Sequence, residues 1–249
     1  MKVLLVDDHP LILSALQAVI EGFGQGMQVV GVADADKAHE ALRRDTDFDL
    51  VLLDLWLGEV DGFEVLADMR ARYPALPVVV VSATERHADV IRALDMGAMG
   101  FVPKRSSNRE LVDALAMVMA GGVYIPPVML GLLSPASAAP VVADTTPAAA
   151  GPSIAELSQA EARQSIRSIA SIGLTPRQSE VMALLLKGLP NKLIARELKL
   201  SVETVKDHVA AVLHALGVSS RTQAVLAVGQ MSQMTPDGAP YTTRSPAQR

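Results

Sequence analysis

The chain has no cysteine, which excludes disulfides and thiolate metal sites. Aromatics are scarce as well: one Trp, three Tyr and four Phe in 249 residues, so aliphatic side chains must build the core. No apolar stretch approaches the roughly 18–20 uninterrupted residues of a membrane span. The opening Met-Lys-Val-Leu-Leu-Val stops at Asp7 and Asp8, and no small-residue cleavage site follows. The expectation is therefore a cytoplasmic protein with no membrane partner. Positive charge is also in short supply, with 22 Lys/Arg against 27 Asp/Glu. The deficit is uneven: residues 1–125 hold 11 basic and 19 acidic side chains, residues 173–225 hold 7 and 4. An acidic half joined to a mildly basic one suggests two modules, of which only the second would attract nucleic acid.

What is present in the first half is alternation. Apolar runs of four to six residues are separated by helical patterns of ten to fourteen, which predicts βα repeats around a parallel sheet. The runs are continuously apolar, as for strands covered on both faces. Leu11, Ala15, Leu16, Val19 and Ile20 predict one helical stripe; Ala38, Ala41 and Leu42 a second; Phe63, Leu66, Ala67 and Arg70 a third. Gly97 is placed to end a helix starting near Arg86, and Gly121-Gly122 to end one starting near Ser106. Five strands and five helices in residues 1–125 give an α/β, doubly wound, five-stranded parallel domain.

Residues 134–152 are mostly Ala, Pro, Ser, Thr and Val and cannot pack a core. A linker over 126–172, partly disordered, is expected, with helical propensity at 154–171. A second domain, 173–232, is all-α. Thr175 and Pro176 open its first helix, about 176–187, and Glu180 lies too far on to close a capping box. Further helices are expected at about 191–198, 202–216 and 220–229. The tail, 233–249, has no core pattern and is expected to be disordered.

Four apolar runs end in residues that carry chemistry: Lys2–Val6 in Asp7 and Asp8, Leu50–Leu53 in Asp54, Val78–Val81 in Ser82, and Gly100–Val102, through Pro103, in Lys104. Parallel strands would bring these ends to one sheet edge, where open α/β sheets bind ligands. A hard cation such as Mg²⁺ takes oxygen ligands. Asp7, Asp8 and Asp54 can supply them, with the backbone carbonyl of Trp56 as a fourth. Asp54, alone at its strand end, is the candidate phosphoacceptor. Lys104 would add positive charge and Ser82 a hydroxyl donor to a phosphoryl oxygen. His9, beside the acidic pair, reads as a cap or surface residue, with no second histidine nearby to make a zinc site.

On these motifs (VDDHP, LLDLWLGEVDGFEVL, VVVVSA and GAMGFVPK) residues 1–125 resemble the flavodoxin-like receiver domain of two-component response regulators. The resemblance implies phosphorylation of Asp54 by a sensor histidine kinase. It also implies that Ser82 and an aromatic switch residue, Phe101, move toward the phosphoryl group. Arg105 stands where that family often has a proline after the lysine.

The segment Leu193–Gly217 reads as helix, turn, helix. Ile194, Ala195 and Leu198 face inward from the first helix, and Ser201 caps the second. Val202, Val205, Val209, Val212, Leu213 and Leu216 form the buried side of that second helix. Asn191 and Lys192 open the first helix and can bind phosphate. Thr204, Lys206 and His208 near the start of the second suit a major groove. The run LTPRQSEVMALLLKGLPNKLIARELKLSVETVKDHVAAVLHALGVSSRTQAV resembles the LuxR-type helix-turn-helix domain. The resemblance implies DNA contacts by Lys192, Thr204, Lys206 and His208, and by Val205 and Val209, with Lys206 foremost.

Together the modules resemble a NarL/FixJ-class response regulator: not an enzyme, but a homodimeric transcription regulator whose partners are a kinase, double-stranded DNA and RNA polymerase. Two rivals are a DNA-binding regulator that uses the receiver fold only as a dimerisation platform, and an aspartate-nucleophile phosphohydrolase. The second would favour an aspartate two residues past the nucleophile, where this chain has Trp56. A helical module that binds protein is a further rival.

Overall fold

The protein is described by a computed structural model over residues 1–23, 26–127 and 173–233, with side chains to residue 228 in the last helix. The expected linker from residue 128 on and the expected tail from residue 234 on lie outside the described residues. The N-terminal domain runs β1 (Lys2–Val6), α1 (Pro10–Gly22), β2 (Gln28–Val32), α2 (Ala35–Arg44), β3 (Leu50–Leu53), β4 (Trp56–Leu57), β5 (Val60–Asp61), α3 (Gly62–Arg72), β6 (Val78–Ser82), α4 (His87–Asp95), β7 (Gly100–Pro103) and α5 (Asn108–Met119). The five long strands form one parallel sheet in the order β2-β1-β3-β6-β7, and β4 and β5 form a separate antiparallel hairpin.

Every residue of β3, β6 and β7 is buried, so their continuous apolar runs do fill a sheet covered on both sides. Side chains alternate across the sheet. Leu4, Val6, Val51, Leu53, Val78 and Val80 pack one layer with α2, α3 and α4. Val3, Leu5, Leu50, Leu52, Val79 and Val81 pack the other with α1 and α5. The α1 stripe differs from expectation: Leu11 and Ala15 are exposed, and the helix packs through Leu13, Leu16, Val19 and Ile20. Leu16, Val19 and Ile20 of the expected stripe keep their inward places, and Leu13 joins them. Ala67 is likewise exposed, with Val65 and Met69 buried in its place.

The C-terminal domain holds α6 (Pro176–Leu186), α7 (Asn191–Leu198), α8 (Val202–Ala215) and α9 (Arg221–Gln233). Thr175 does close a capping box, with Gln178 and not Glu180. Gln178 is three residues on, the spacing that the reciprocal bonds need. Lys199, in the left-handed region at φ 55°, and Ser201, whose hydroxyl accepts from the Thr204 N–H, make the turn between α7 and α8. Val181, Leu185, Ile194, Ala195, Val205, Val209, Leu213 and Ala224 form the core.

The two domains touch. Asn191 Nδ2 donates to the Ala75 carbonyl at 3.0 Å, Lys192 Nζ meets Asp49 Oδ2 at 2.8 Å, and Gln223 Nε2 donates to the Asp95 carbonyl at 2.8 Å. Lys206 Nζ donates to the carbonyls of Thr46 and, at 2.9 Å, Phe48.

Candidate functional site

The register carries the four strand ends to one edge. Val6 pairs with Leu53, and Ser82 with Pro103, so Asp7, Asp54, Ser82 and Lys104 follow the last paired residues of adjacent strands or end them. Asp7 and Asp54 are almost fully buried, at 1% and 2% exposure, while Asp8 is partly open. Lys104 Nζ bridges them, 2.7 Å from Asp7 Oδ2 and 2.8 Å from Asp54 Oδ2. Its backbone N–H donates to the Ser82 carbonyl, which ties β6 to the lysine.

Burial pushes the Asp54 carboxyl above its ordinary range; the Lys104 hydrogen bond and charge pull it back, and Asp7 raises it further. Burial also pulls the Lys104 ammonium down, but its bonds to Asp54 and Asp7 outweigh that and leave it raised. A raised lysine favours the folded state while the pH stays below its unfolded value, and that contribution fades as pH climbs through the folded one. The pocket therefore holds two buried carboxylates on a single ammonium, one positive charge short of neutrality.

The deficit shows in the hydrogen bonding. Asp54 Oδ1 is buried without a hydrogen-bond partner among the described residues, while Asp8 Oδ1 has the His9 Nδ1 2.6 Å away. A buried, unpaired carboxylate oxygen is costly unless a cation serves it. Ligand atoms of Asp7, Asp8, His9 and Asp54 lie within 4.8 Å of one another. This donor set fits a small divalent cation.

Ser82 is fully buried at the end of β6, and its hydroxyl accepts from the Thr84 N–H at 3.3 Å. Phe101, also fully buried, pairs with Val80 in the layer under α4. Trp56 is in β4, more than half exposed, two residues past Asp54.

The hairpin that carries Trp56 is held by close backbone contact, a feature not anticipated from the sequence. The Gly62 N–H donates to the Leu55 carbonyl, and a Cβ at Gly62 would overlap the Leu55 backbone and crowd the Asp54 carbonyl. Gly62→Ala must move the chain segment that presents Asp54. We expect a loss of about 1–3 kcal/mol in urea unfolding, together with reduced phosphoryl uptake. Unchanged stability would mean that the loop yields freely.

Among the expected DNA contacts, Val205 and Val209 are corrected. At 0% and 3% exposure they belong to the helical core, leaving no side-chain surface for a base edge. Asn191, Lys192 and Lys206 are brought together, but on the receiver, as described above. Thr204 is partly committed to capping, with its hydroxyl 2.8 Å from that of Ser201, and His208 is partly buried. Asp49, at 9% exposure between Lys192 and the Lys2 N–H, was overlooked among the acidic residues of its loop. Arg70 was read as part of an apolar stripe. Its guanidinium is buried, donates to the carbonyls of Tyr73, Pro74 and Leu76, and is pulled down to about 10 by burial.

Comparison with known proteins agrees with this geometry. Residues 3–116 match the response regulator receiver domain, and residues 173–228 match the bacterial regulatory proteins of the luxR family. The chain is 34% identical to a glycerol metabolism activator of Pseudomonas putida, covering 92% of this chain and 96% of that one. It is 31% identical to the nitrate/nitrite response regulator protein NarL of Escherichia coli K12, over 92% and 94%. A LuxR-family two-component response regulator from Aurantimonas aligns in structure with a TM-score of 0.49 and 31% identity, over 52% of this chain and 92% of that one. No helix among the described residues is long and apolar enough to cross a membrane. The chain belongs to the two-component response regulators that join a receiver domain to a LuxR-type DNA-binding domain.

Proposed function

We propose that Asp54 accepts a phosphoryl group from a sensor histidine kinase, and that this modification controls dimerisation and sequence-specific DNA binding. Asp7, Asp8, Asp54 and the Trp56 carbonyl would hold Mg²⁺, which would neutralise charge on the phosphoryl oxygens. Asp54 supplies the attacking carboxylate oxygen. Lys104, already on Asp54 Oδ2, is placed to follow the charge onto the phosphoryl group. Ser82 would leave the Thr84 N–H and donate to a phosphoryl oxygen, with Phe101 turning into the space it vacates.

The observation that carries the regulatory half is the placement of the DNA-facing cations. Lys192 and Lys206 meet a carboxylate and two backbone carbonyls of the receiver, in the α2–β3 loop. These oxygens stand where DNA phosphate oxygens would be needed. The closed arrangement and DNA therefore compete for the same ammonium groups. Phosphorylation would favour the open form, raising the competent fraction and with it the apparent affinity.

The test is a gel-shift titration of the full chain, with and without acetyl phosphate and Mg²⁺, on DNA recovered with the phosphorylated protein. A gain of roughly tenfold is expected, within the usual range of allosteric coupling. No gain, with phosphate incorporated, would select a DNA-binding regulator that uses its receiver only as a platform.

Lys206→Ala probes the same competition from the DNA side. In the phosphorylated protein we expect weaker binding across all sequences and a salt slope lower by about one. An unchanged slope would take Lys206 out of phosphate contact.

A further inference from the structure

Between the receiver and the DNA-binding domain lies a cavity of about 190 Å³. Leu76, Met99 and Val118 of the receiver and Val209 of α8 give it an apolar wall. Four cationic side chains also line it: Arg70 from the receiver, and Lys192, Lys206 and Arg221 from the other domain. Against them stands a single lining carboxylate, Asp49. Lys192 already holds Asp49 at 2.8 Å, and Lys206 rests on the Thr46 and Phe48 carbonyls.

The two arginines have no counter-ion among the described residues. Every partner of the Arg70 guanidinium is a backbone carbonyl, and so is the one partner of Arg221, Leu185, 2.7 Å from Nη2. Burial alone pulls both groups down to about 10. Cations drawn out of water without an opposite charge are costly. Arg70 is locked in place by its three carbonyls, so it gives the cavity charge. Arg221 spends only Nη2, which leaves Nε and Nη1 without an acceptor among the described residues. The two residues meet the same backbone: Arg70 Cδ and the Cβ of Ser220, the neighbour of Arg221, lie 3.3 and 3.0 Å from where a Gly97 Cβ would stand.

A guanidinium edge with open donors is a fork that phosphate or carboxylate accepts with two oxygens. We propose that this interdomain cavity binds a small organic anion, with its oxyanion head on Arg221 and its short aliphatic body against the apolar wall. The inference rests on the closed arrangement proposed above and adds a second input to it. A ligand that touches both domains binds the closed form alone. It therefore holds Lys192 and Lys206 on the receiver and opposes phosphorylation by linkage.

The experiment is calorimetric titration of the full chain with methyl phosphate and with butyrate, and with butyramide as the uncharged control. Mg²⁺ is left out, so that the phosphoacceptor pocket, short of positive charge, repels both anions. At least one anion should bind with a Kd of about 1 mM or tighter, and butyramide should not bind. Arg221→Met keeps the apolar stem and should cost at least about tenfold. Gly121→Ala keeps Arg221 but sets a Cβ against the Gly188 carbonyl oxygen across the interface, and should lose the binding too. In gel shifts at constant ionic strength, the anion at about ten times its Kd should weaken DNA binding by the unphosphorylated chain about tenfold and leave Arg221→Met unmoved. Circular dichroism of each variant checks its fold. Binding of neither anion, binding that survives either substitution, or an unmoved DNA affinity would overturn the proposal. The closed arrangement is read separately, from the DNA affinity of Gly121→Ala with no anion present. A rise there without anion binding sinks the cavity site alone, and no rise sinks the closed arrangement itself.

Discussion

Asp54→Asn should take up no phosphoryl group from acetyl phosphate and Mg²⁺, and its DNA affinity should no longer respond to them. The substitution is close to isosteric and removes the one nucleophilic oxygen pair at the end of β3. The amide that replaces it does not form the acyl phosphate. The fold should survive, because Lys104 keeps Asp7 at 2.7 Å and the β3 core residues are untouched. Removing one of two buried carboxylates from a single ammonium also leaves the pocket closer to neutral, so stability should hold or rise slightly. Intact-mass measurement reads the phosphoryl increment directly. A full increment on Asp54→Asn would place the modification elsewhere and remove the basis for the mechanism.

The residues of that pocket were legible in the sequence because each lies at the end of a continuous apolar run. Burial on both faces needs such runs, and parallel pairing sends their ends to one edge, so chain order alone brought Asp7, Asp54, Ser82 and Lys104 together. The β4–β5 hairpin was not legible, since two-residue strands are too short to show a period. Its cause, the missing Cβ at Gly62, depends on a backbone approach that no local pattern records. For α8 the two kinds of inference conflicted. The spacing of Val205 and Val209 placed them in the core, the family resemblance placed them on DNA, and their burial follows the spacing. The domain contact left no trace at all. A lysine suited to phosphate looks the same in sequence whether it meets DNA or the Asp49 loop.

Gly121→Ala tests the closed arrangement without touching either the phosphoacceptor or a DNA contact. Gly121 ends α5 at φ 90°, and a Cβ there would overlap the carbonyl oxygen of Gly188 in the other domain. Any side chain at 121 is thus incompatible with the domains packed as they are. The substitution should push them apart and free Lys192 and Lys206 from the Asp49 loop. Unphosphorylated Gly121→Ala should then bind DNA roughly tenfold more tightly than the unmodified chain, with a correspondingly smaller gain from acetyl phosphate. Positive φ makes alanine unfavourable at this position in any case, by roughly 1–2 kcal/mol, so the effect of strain must be separated from that of opening. Gly188→Ala provides the comparison: its φ is 84°, but a Cβ there meets nothing within 4 Å. That variant should lose similar stability and leave basal DNA affinity within about threefold. If the two variants changed DNA binding equally, local strain would account for both, and contact between the domains would not be what holds the DNA-binding lysines back.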